Sequence, residues 1–276
     1  MPSVIIAHLG PTGTYAETAA LAYGKLIDAD FELTPYNTIA QAIEAVSHQT
    51  ANLAVVPVEN SIEGSVTMTL DALWRIDGLQ IQQALVLPIE HQLITVAPSL
   101  DQIQAVYSHP QALSQCQEWL GKHLPQAQRI PANSTTEILA QLADLNTTAG
   151  ISSPSAAALY NLPILAADIG DRLENRTRFW VLGQQPAITG SHTSLAMTLS
   201  ANAPGALLAV LAKFAAAQIN LSRIESRPTK RSLGEYLFFM DLEADGHDPQ
   251  VTKILAEVAA SVEQVKLFGS YQITSI

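Results

Sequence analysis

Three short segments carry side chains able to do acid–base and hydrogen-bonding chemistry. Pro57-Val58-Glu59-Asn60-Ser61-Ile62-Glu63-Gly64 sets an acid, an amide and a hydroxyl side by side. Ser108-His109-Pro110-Gln111 offers a hydroxyl, an imidazole and an amide, and Asn175-Arg176-Thr177-Arg178-Phe179-Trp180 adds cations, a hydroxyl and aromatic rings. Such groups can protonate or hydrogen-bond a leaving oxygen and hold a small anion. Taken singly, each segment reads better as a capped helix end or a polar turn than as a site. Three of them within the first 183 residues point to a site. The chemistry expected there needs no cofactor or metal. His91, His109 and His123 are too far apart to form a local ligand set, and each reads as structural or exposed. Cys116 shares an apolar helix face with Leu113 and Leu120 and reads as core. No P-loop, G-x-G-x-x-G or G-x-S-x-G occurs, and Gly10-Pro11-Thr12-Gly13 lacks the dinucleotide spacing.

These groups must be held by elements that the apolar pattern outlines. Val4 to Ala7 reads as a buried strand, followed by a Gly-containing turn and a helix from Tyr15 to Leu26. The pattern continues with a helix over Ile39 to Val46, a strand over Leu53 to Val56 and a helix over Met68 to Trp74. Strands follow at Ala84 to Leu87, Leu93 to Ala97 and Ala105 to Tyr107, and helices at Ala112 to Leu120 and Thr136 to Ala143. Short apolar strands alternating with helices predict parallel, doubly wound α/β sheets, which bind ligands beyond the carboxyl ends of their strands. The polar clusters 10–14, 59–65, 108–115 and 133–136 mostly fall at such strand-to-helix passages. Residues 183–193 read as a linker. Beyond it the order is strand (Ser194–Ser200), helix (Ala206–Ala217), strand (Leu221–Glu225), strand (Gly234–Leu242), helix (Pro249–Ala260), strand (Gln264–Tyr271), the ferredoxin-like βαββαβ arrangement.

Composition limits the function classes. The 276 residues include 48% hydrophobic and 14% charged residues, enough apolar content for about two domains with their own cores. The net charge is −11, which argues against nucleic-acid or anionic-membrane binding. A single Cys suits a reducing compartment, the start shows no leader pattern, and no apolar stretch reaches a membrane span, so a cytoplasmic protein is expected. Up to Gly190 the chain holds 7 Lys and Arg against 17 Asp and Glu, a net of −10, and the remainder is nearly neutral. Arg172, Arg176 and Arg178 nevertheless share one seven-residue window, which fits either a small anionic ligand or a solvated loop paired with Asp168, Asp171 and Glu174.

The segments Gly10-Pro11-Thr12-Gly13-Thr14-Tyr15, Pro57 to Val66, Ser108 to Cys116 and Asp171 to Leu182, with Thr177-Arg178-Phe179 at its centre, resemble the prephenate dehydratase family. The C-terminal part resembles an ACT regulatory domain through Asn202-Ala203-Pro204-Gly205-Ala206-Leu207 and Glu225-Ser226-Arg227-Pro228. The resemblance covers essentially the whole chain. It departs at Ala16, where the family often has Ser or Thr, and at Thr136, where Ala is common.

The resemblance implies a catalytic domain over 1–183, built as two lobes hinged like a periplasmic binding protein with the site in their cleft, and an ACT domain over 194–276. The implied reaction is the decarboxylating dehydration of prephenate to phenylpyruvate. Thr177 is the implied catalytic residue, with Glu59, Asn60 and Gln115 in support. Arg178 has the fork to grip a substrate carboxylate, and Phe179 can wall off the carboxylate that departs. Thr14, Ser61, Gly64, Ser108, His109, Ser134 and Thr135 are expected near the substrate or the strand-end framework. An aliphatic hydroxyl is a reluctant acid, so Thr177 either orients the leaving hydroxyl or relays a proton, with Glu59 a candidate donor. L-Phenylalanine is the implied feedback inhibitor, held by Asn202, Pro204, Gly205, Ala206, Leu207, Glu225, Ser226, Arg227 and Pro228 between paired domains of a homodimer or homotetramer. Two other classes fit the outline less well. A catalytically dead sensor would not need Glu59, Asn60, Gln115, Thr177 and Arg178 together, and a periplasmic-type binding protein would carry a leader and no ACT-like domain.

Overall fold

The computed structural model describes residues 3–276; Met1 and Pro2, part of the start read above for a leader, lie outside the described residues. The chain runs β1 (Val4–Leu9), α1 (Tyr15–Gly24), β2 (Phe31–Tyr36), α2 (Ile39–Ser47), β3 (Leu53–Asn60), β4 (Gly64–Ser65), α3 (Thr67–Arg75) and β5 (Gln80–Pro88). It continues through β6 (Gln92–Ile94), β7 (Ala105–Ser108), α4 (Pro110–Gln115), α5 (Gln117–His123), β8 (Gln128–Pro131), β9 (Thr148–Ser152), α6 (Pro154–Leu159), β10 (Ile164–Ala166) and β11 (Arg176–Gly183). The last part is β12 (His192–Thr198), α7 (Ala206–Ala216), β13 (Leu221–Pro228), β14 (Tyr236–Leu242), α8 (Pro249–Ala259) and β15 (Gln264–Ser275), in the expected βαββαβ order.

Two lobes result. In the first, β1 pairs parallel with both β2 and β3, α1 packs on one face, and α2 and α3 pack on the other. In the second, β7 pairs parallel with β8 and β9, while β6 runs antiparallel. The chain crosses between lobes twice, after β5 and before β11, and the crossings are bonded to each other through Ile89 N–H to Asn175 O (2.9 Å) and Ile169 N–H to His91 O (2.9 Å). This is the hinged, bilobal arrangement of periplasmic binding proteins.

Several expectations are refined. The sheets are mixed: β11 returns from the second lobe and inserts antiparallel between β3 and β5. The strand expected to stop at Val56 runs to Asn60, so Glu59 and Asn60 lie within it. The helix expected over Ala112 to Leu120 breaks at Cys116. There the Gln115 carbonyl accepts from Asp171 N–H (2.8 Å), and the Asp171 carboxylate accepts from Glu118 and Trp119 N–H (both 3.0 Å), so a loop from the hinge caps α5 and ends α4. The helix expected at Thr136 to Ala143 is a 3₁₀ turn over Leu139–Asp144.

The C-terminal domain is continuous with the first lobe. β15 runs past Tyr271 to Ser275 and its end pairs parallel with β5, giving one sheet in the order β13-β14-β12-β15-β5-β11-β3-β1-β2. A single apolar cluster joins Trp180 and Leu182 of β11 to Phe239, Phe268 and Tyr271 of the C-terminal domain. Among the described residues no helix is long and apolar enough to cross a membrane.

Candidate active site

Strand register places the two central side chains. β3 and β11 are antiparallel, with Asn60 opposite Thr177 and Glu59 opposite Arg178. Alternation along a strand therefore sends Asn60 and Thr177 to one face and Arg178 to the other. The first face walls a cavity of about 720 Å³ between the lobes, lined also by Thr12, Thr14, His91, His109, Gln115, Ser134 and Thr135.

The Asn60 amide is fixed. Its Oδ1 accepts from the N–H groups of Ile62 (3.0 Å) and Glu63 (3.1 Å) in a local turn. Its Nδ2 must then donate, and it reaches Asn175 Oδ1 (2.8 Å) and Thr177 Oγ1 (2.9 Å). Because the Thr177 oxygen accepts from Asn60, its own proton is left to point elsewhere, and the residue lines the cavity. Asn175 in turn donates to Gln115 Oε1 (2.9 Å), and Gln115 Nε2 donates across the cleft to Glu63 Oε1 (3.2 Å). Gln115 Oε1 is an acceptor, so His91 must donate to it from Nε2 (2.8 Å). The bare His91 Nδ1 is buried without a partner. Burial pushes the His91 pKa below its ordinary value, against a smaller opposing pull from Gln115 and Asp171, and keeps the ring neutral. These residues belong to both lobes and both crossings, so the network ties the lobes together across the hinge.

Thr14 caps α1, its Oγ1 accepting from Glu17 N–H (3.5 Å) and donating to Leu9 O (3.2 Å), and it lines the cavity. His109 also lines the cavity; its Nδ1 accepts from Gln111 N–H (3.3 Å), which leaves Nε2 as the donor. Among the described residues that line the cavity there is no Lys or Arg.

Other expected residues lie elsewhere. Ser108 is buried and donates to Ile151 O (2.6 Å), tying β7 to β9. Ser61 bonds Arg176 N–H (3.0 Å) behind the wall, and Gly64 makes the β3–β4 turn at φ +81°, where a side chain would be strained. Phe179 is buried against Ile6 and Ala16 in the core of the first lobe. Arg178 and Glu59 stand behind the wall, 3.5 Å from each other, with Arg178 also 3.5 Å from Asp241 of the C-terminal domain. In the C-terminal domain, Asn202 lines a cavity of about 330 Å³ with Arg231, Glu235, Phe238 and Glu263. Gly205, at φ +85°, leads into α7 with Pro204, Ala206 and Leu207. Glu225 accepts from Ser65 Oγ (3.2 Å) and Arg227 pairs with Asp71 (3.2 Å), both in the first lobe, while Ser226 and Pro228 are exposed.

The sequence reading did not single out His91, Asn175 or Glu63 as site residues. Asn175 and Glu63 lie inside the polar segments 175–180 and 57–64. His91 carried no local signal, because its partners come from other elements.

The prephenate dehydratase family model matches residues 6–187, and the ACT domain model matches residues 194–260. A prephenate dehydratase of Lactococcus lactis subsp. cremoris is 36% identical over 280 residues, covering 98% of each chain. The crystal structure of a prephenate dehydratase from Arthrobacter aurescens in complex with L-Phe is 35% identical, with a TM-score of 0.89 over 98% of this chain and 90% of that one. A chain described as GqqA, a novel type of quorum quenching acylase, is 28% identical, with a TM-score of 0.81 over 97% of both chains. With both family models in tandem and relatives that match end to end, the chain belongs to the prephenate dehydratase family of hydro-lyases and carries a C-terminal ACT domain.

Proposed function

We propose that the protein supplies phenylpyruvate for L-phenylalanine synthesis, that Thr177 delivers the hydrogen bond on which prephenate dehydration turns, and that L-phenylalanine bound at the ACT domain restrains it. The observation that carries the catalytic part is the Asn60 amide donating to the Thr177 oxygen (2.9 Å), which leaves the Thr177 proton free for an acceptor in the cavity. As the ring carboxylate leaves as CO₂, its bonding pair completes the aromatic ring and expels the hydroxyl at the opposite carbon. The departing oxygen needs a proton to become water. Thr177 donates a hydrogen bond to it, and charge gathering on the Thr177 oxygen is met by Asn60, so the contact strengthens as the bond breaks. One proton is consumed per turnover and reaches the site from solvent.

Hydroxyls and imidazole N–H groups of the lining hold the dianion: Thr12, Thr14, His109, Ser134 and Thr135 for the carboxylate that stays. Leu9, Pro35, Ile89 and Ala112 form the apolar wall for the carboxylate that departs. Gln115 and His91 hold the amide network, and Ser61, Ser108 and Gly64 hold the strand ends. Glu59, Arg178 and Phe179 act from behind the wall.

The L-Phe complex of the Arthrobacter aurescens relative supports regulation at the ACT domain. The Asn202 cavity and the Pro204–Leu207 turn offer the ligand amide and backbone groups, in an assembly where ACT domains pair in a homodimer or homotetramer. Glu225 and Arg227 bond the first lobe and would carry the signal to it. An acylase reading, raised by the GqqA neighbour, is less well supported. A nucleophile needs a base at its proton, and Thr177 instead receives a donor while His109 Nδ1 is engaged by Gln111. Phenylpyruvate absorbance in alkali, followed after adding prephenate with and without L-phenylalanine, tests both parts. Absence of product overturns the catalytic reading, and product insensitive to L-phenylalanine overturns only the regulatory one.

A further inference from the structure

The three-residue segment at the centre of the family resemblance faces two ways. Thr177 lines the cleft, whereas Arg178, next along β11, sits in a cluster of buried and half-buried charge between the first lobe and the C-terminal domain. Arg178 lies 3.5 Å from Glu59 on β3 and 3.5 Å from Asp241 on β14. Asp241 is fully buried and accepts from Arg223 Nε (2.8 Å) and from Ser194 Oγ (2.6 Å), and Ser194 also meets the Tyr271 hydroxyl (2.7 Å). Arg223 lies over the Trp180 ring on the same strand as Thr177, 5.1 Å from its centroid. Two Asp or Glu carboxylates thus balance two Arg guanidiniums, drawn from β3, β11, β13 and β14.

The register of β3 against β11 slips at Arg178/Phe179, where Glu59 is the last in-phase partner before a bulge. A bulge weakens the pairing on which the Asn60–Thr177 contact on the front face depends. The Glu59–Arg178 pair spans the same two strands from behind, one residue from that contact. The geometry points to Arg178 as a positioning residue: anchored by Asp241 of the ACT domain, it holds β11 in register with β3, so that the ACT domain sets the aim of the Thr177 hydroxyl. This rests on the dehydratase reading above and adds to it a residue that acts without touching substrate.

The test is a double-mutant cycle on Arg178→Gln and Asp241→Asn in the full-length chain, with kcat and KM for prephenate measured separately and folding followed by thermal unfolding. The expected result is a fall in kcat of about tenfold or more for each single variant, with KM within about twofold of wild type. The double variant should be no worse than the poorer single one, and Arg178→Lys should recover part of the loss. A rise in KM of about tenfold for Arg178→Gln at unchanged kcat, with Asp241→Asn near wild type, would show a direct grip on substrate and overturn the proposal, as would losses that simply multiply. Should Asp241→Asn not fold, Glu59→Gln takes its place in the cycle under the same criteria, since Glu59 is the more exposed partner. A wild-type chain that does not turn over prephenate removes the reading beneath the proposal. Normal wild-type turnover with a multiplicative cycle removes the proposal alone.

Discussion

In the proposed mechanism Thr177 acts with its proton free for the cleft, which the Asn60 amide allows by donating to its oxygen, and the orientation of Asn60 is set in turn by two backbone N–H groups. Removing the hydroxyl in Thr177→Ala should lower kcat about 100-fold, with a much smaller change in KM, in steady-state assays. Asn60→Asp is the sharper probe. The Asp carboxylate can still accept from Ile62 and Glu63, so the turn survives, but its other oxygen would draw the Thr177 proton away from the cleft. A loss in kcat of about 100-fold is expected, with an unfolding temperature close to wild type. His91 supplies a pH signature. Its folded pKa lies below the ordinary 6.5, chiefly from burial, so the unfolded chain binds a proton that the folded chain refuses. The stability it contributes is complete above about pH 6.5 and is lost as pH falls toward the lower folded value. Unfolding midpoints taken at a series of pH values below neutrality should therefore fall less in His91→Gln than in the parent. Some slope will remain, because His8 and His192 are depressed in the same direction, again with burial as the largest cause.

The elements show why the site is assembled where it is. β11 delivers Thr177 to the cleft and Arg178 to an interface because a strand alternates its faces, and Asn175, in the hinge crossing directly before it, joins the amide network behind the cleft. The break between α4 and α5 has a comparable use. Asp171, from the second hinge crossing, caps α5 while its N–H holds the Gln115 carbonyl, so Gln115 is fixed by both its backbone and its side chain. Asp171→Ala should cost about 1–2 kcal/mol in denaturant unfolding, and it should lower kcat as well if the Gln115 amide loosens. Equal activity with reduced stability would confine Asp171 to capping.

In the molecule as a whole, the C-terminal domain is joined to the first lobe by more than a linker. β15 supplies the neighbour that β5 would otherwise lack, and Phe239, Phe268 and Tyr271 share a core with Trp180 and Leu182. A chain ending at residue 187, the limit of the dehydratase family match, would open that core and bare a sheet edge. Large aromatic side chains each contribute roughly 1.5–3 kcal/mol when buried. Such a truncated chain should therefore show a markedly lower unfolding temperature and bind an apolar dye, whereas a modular domain could be removed without either effect. The charge distribution fits the same picture. The first 190 residues carry the net −10, yet of the three clustered Arg residues only Arg178 is drawn inward, and it is drawn toward carboxylates of the protein. Arg172 and Arg176 stay exposed.

The sequence by itself determined the elements with strong local patterns. β1, α1, α2 and α3 announce themselves by apolar runs, and the C-terminal βαββαβ order is legible with element ends that differ by up to four residues, because its strands and helices have short periods set by neighbours in the chain. The chemistry-bearing segments were legible too: Asn60 and Thr177 lie in polar runs set in apolar surroundings, Gln115 was pointed to only by the family resemblance, and the structure brings all three into one network. What only the tertiary structure decided is which way each side chain faces and what it meets. Arg178 looks like an anion anchor when read beside Thr177. The alternation of β11, and an Asp located 63 residues further along the chain, turn it toward the ACT domain instead. His91 looks structural until Gln115 is packed against it from the second lobe. Local spacing encodes helices and strands because their periods are short. The partners of a buried polar group come from whichever elements the fold closes around it, and those lie tens to hundreds of residues away.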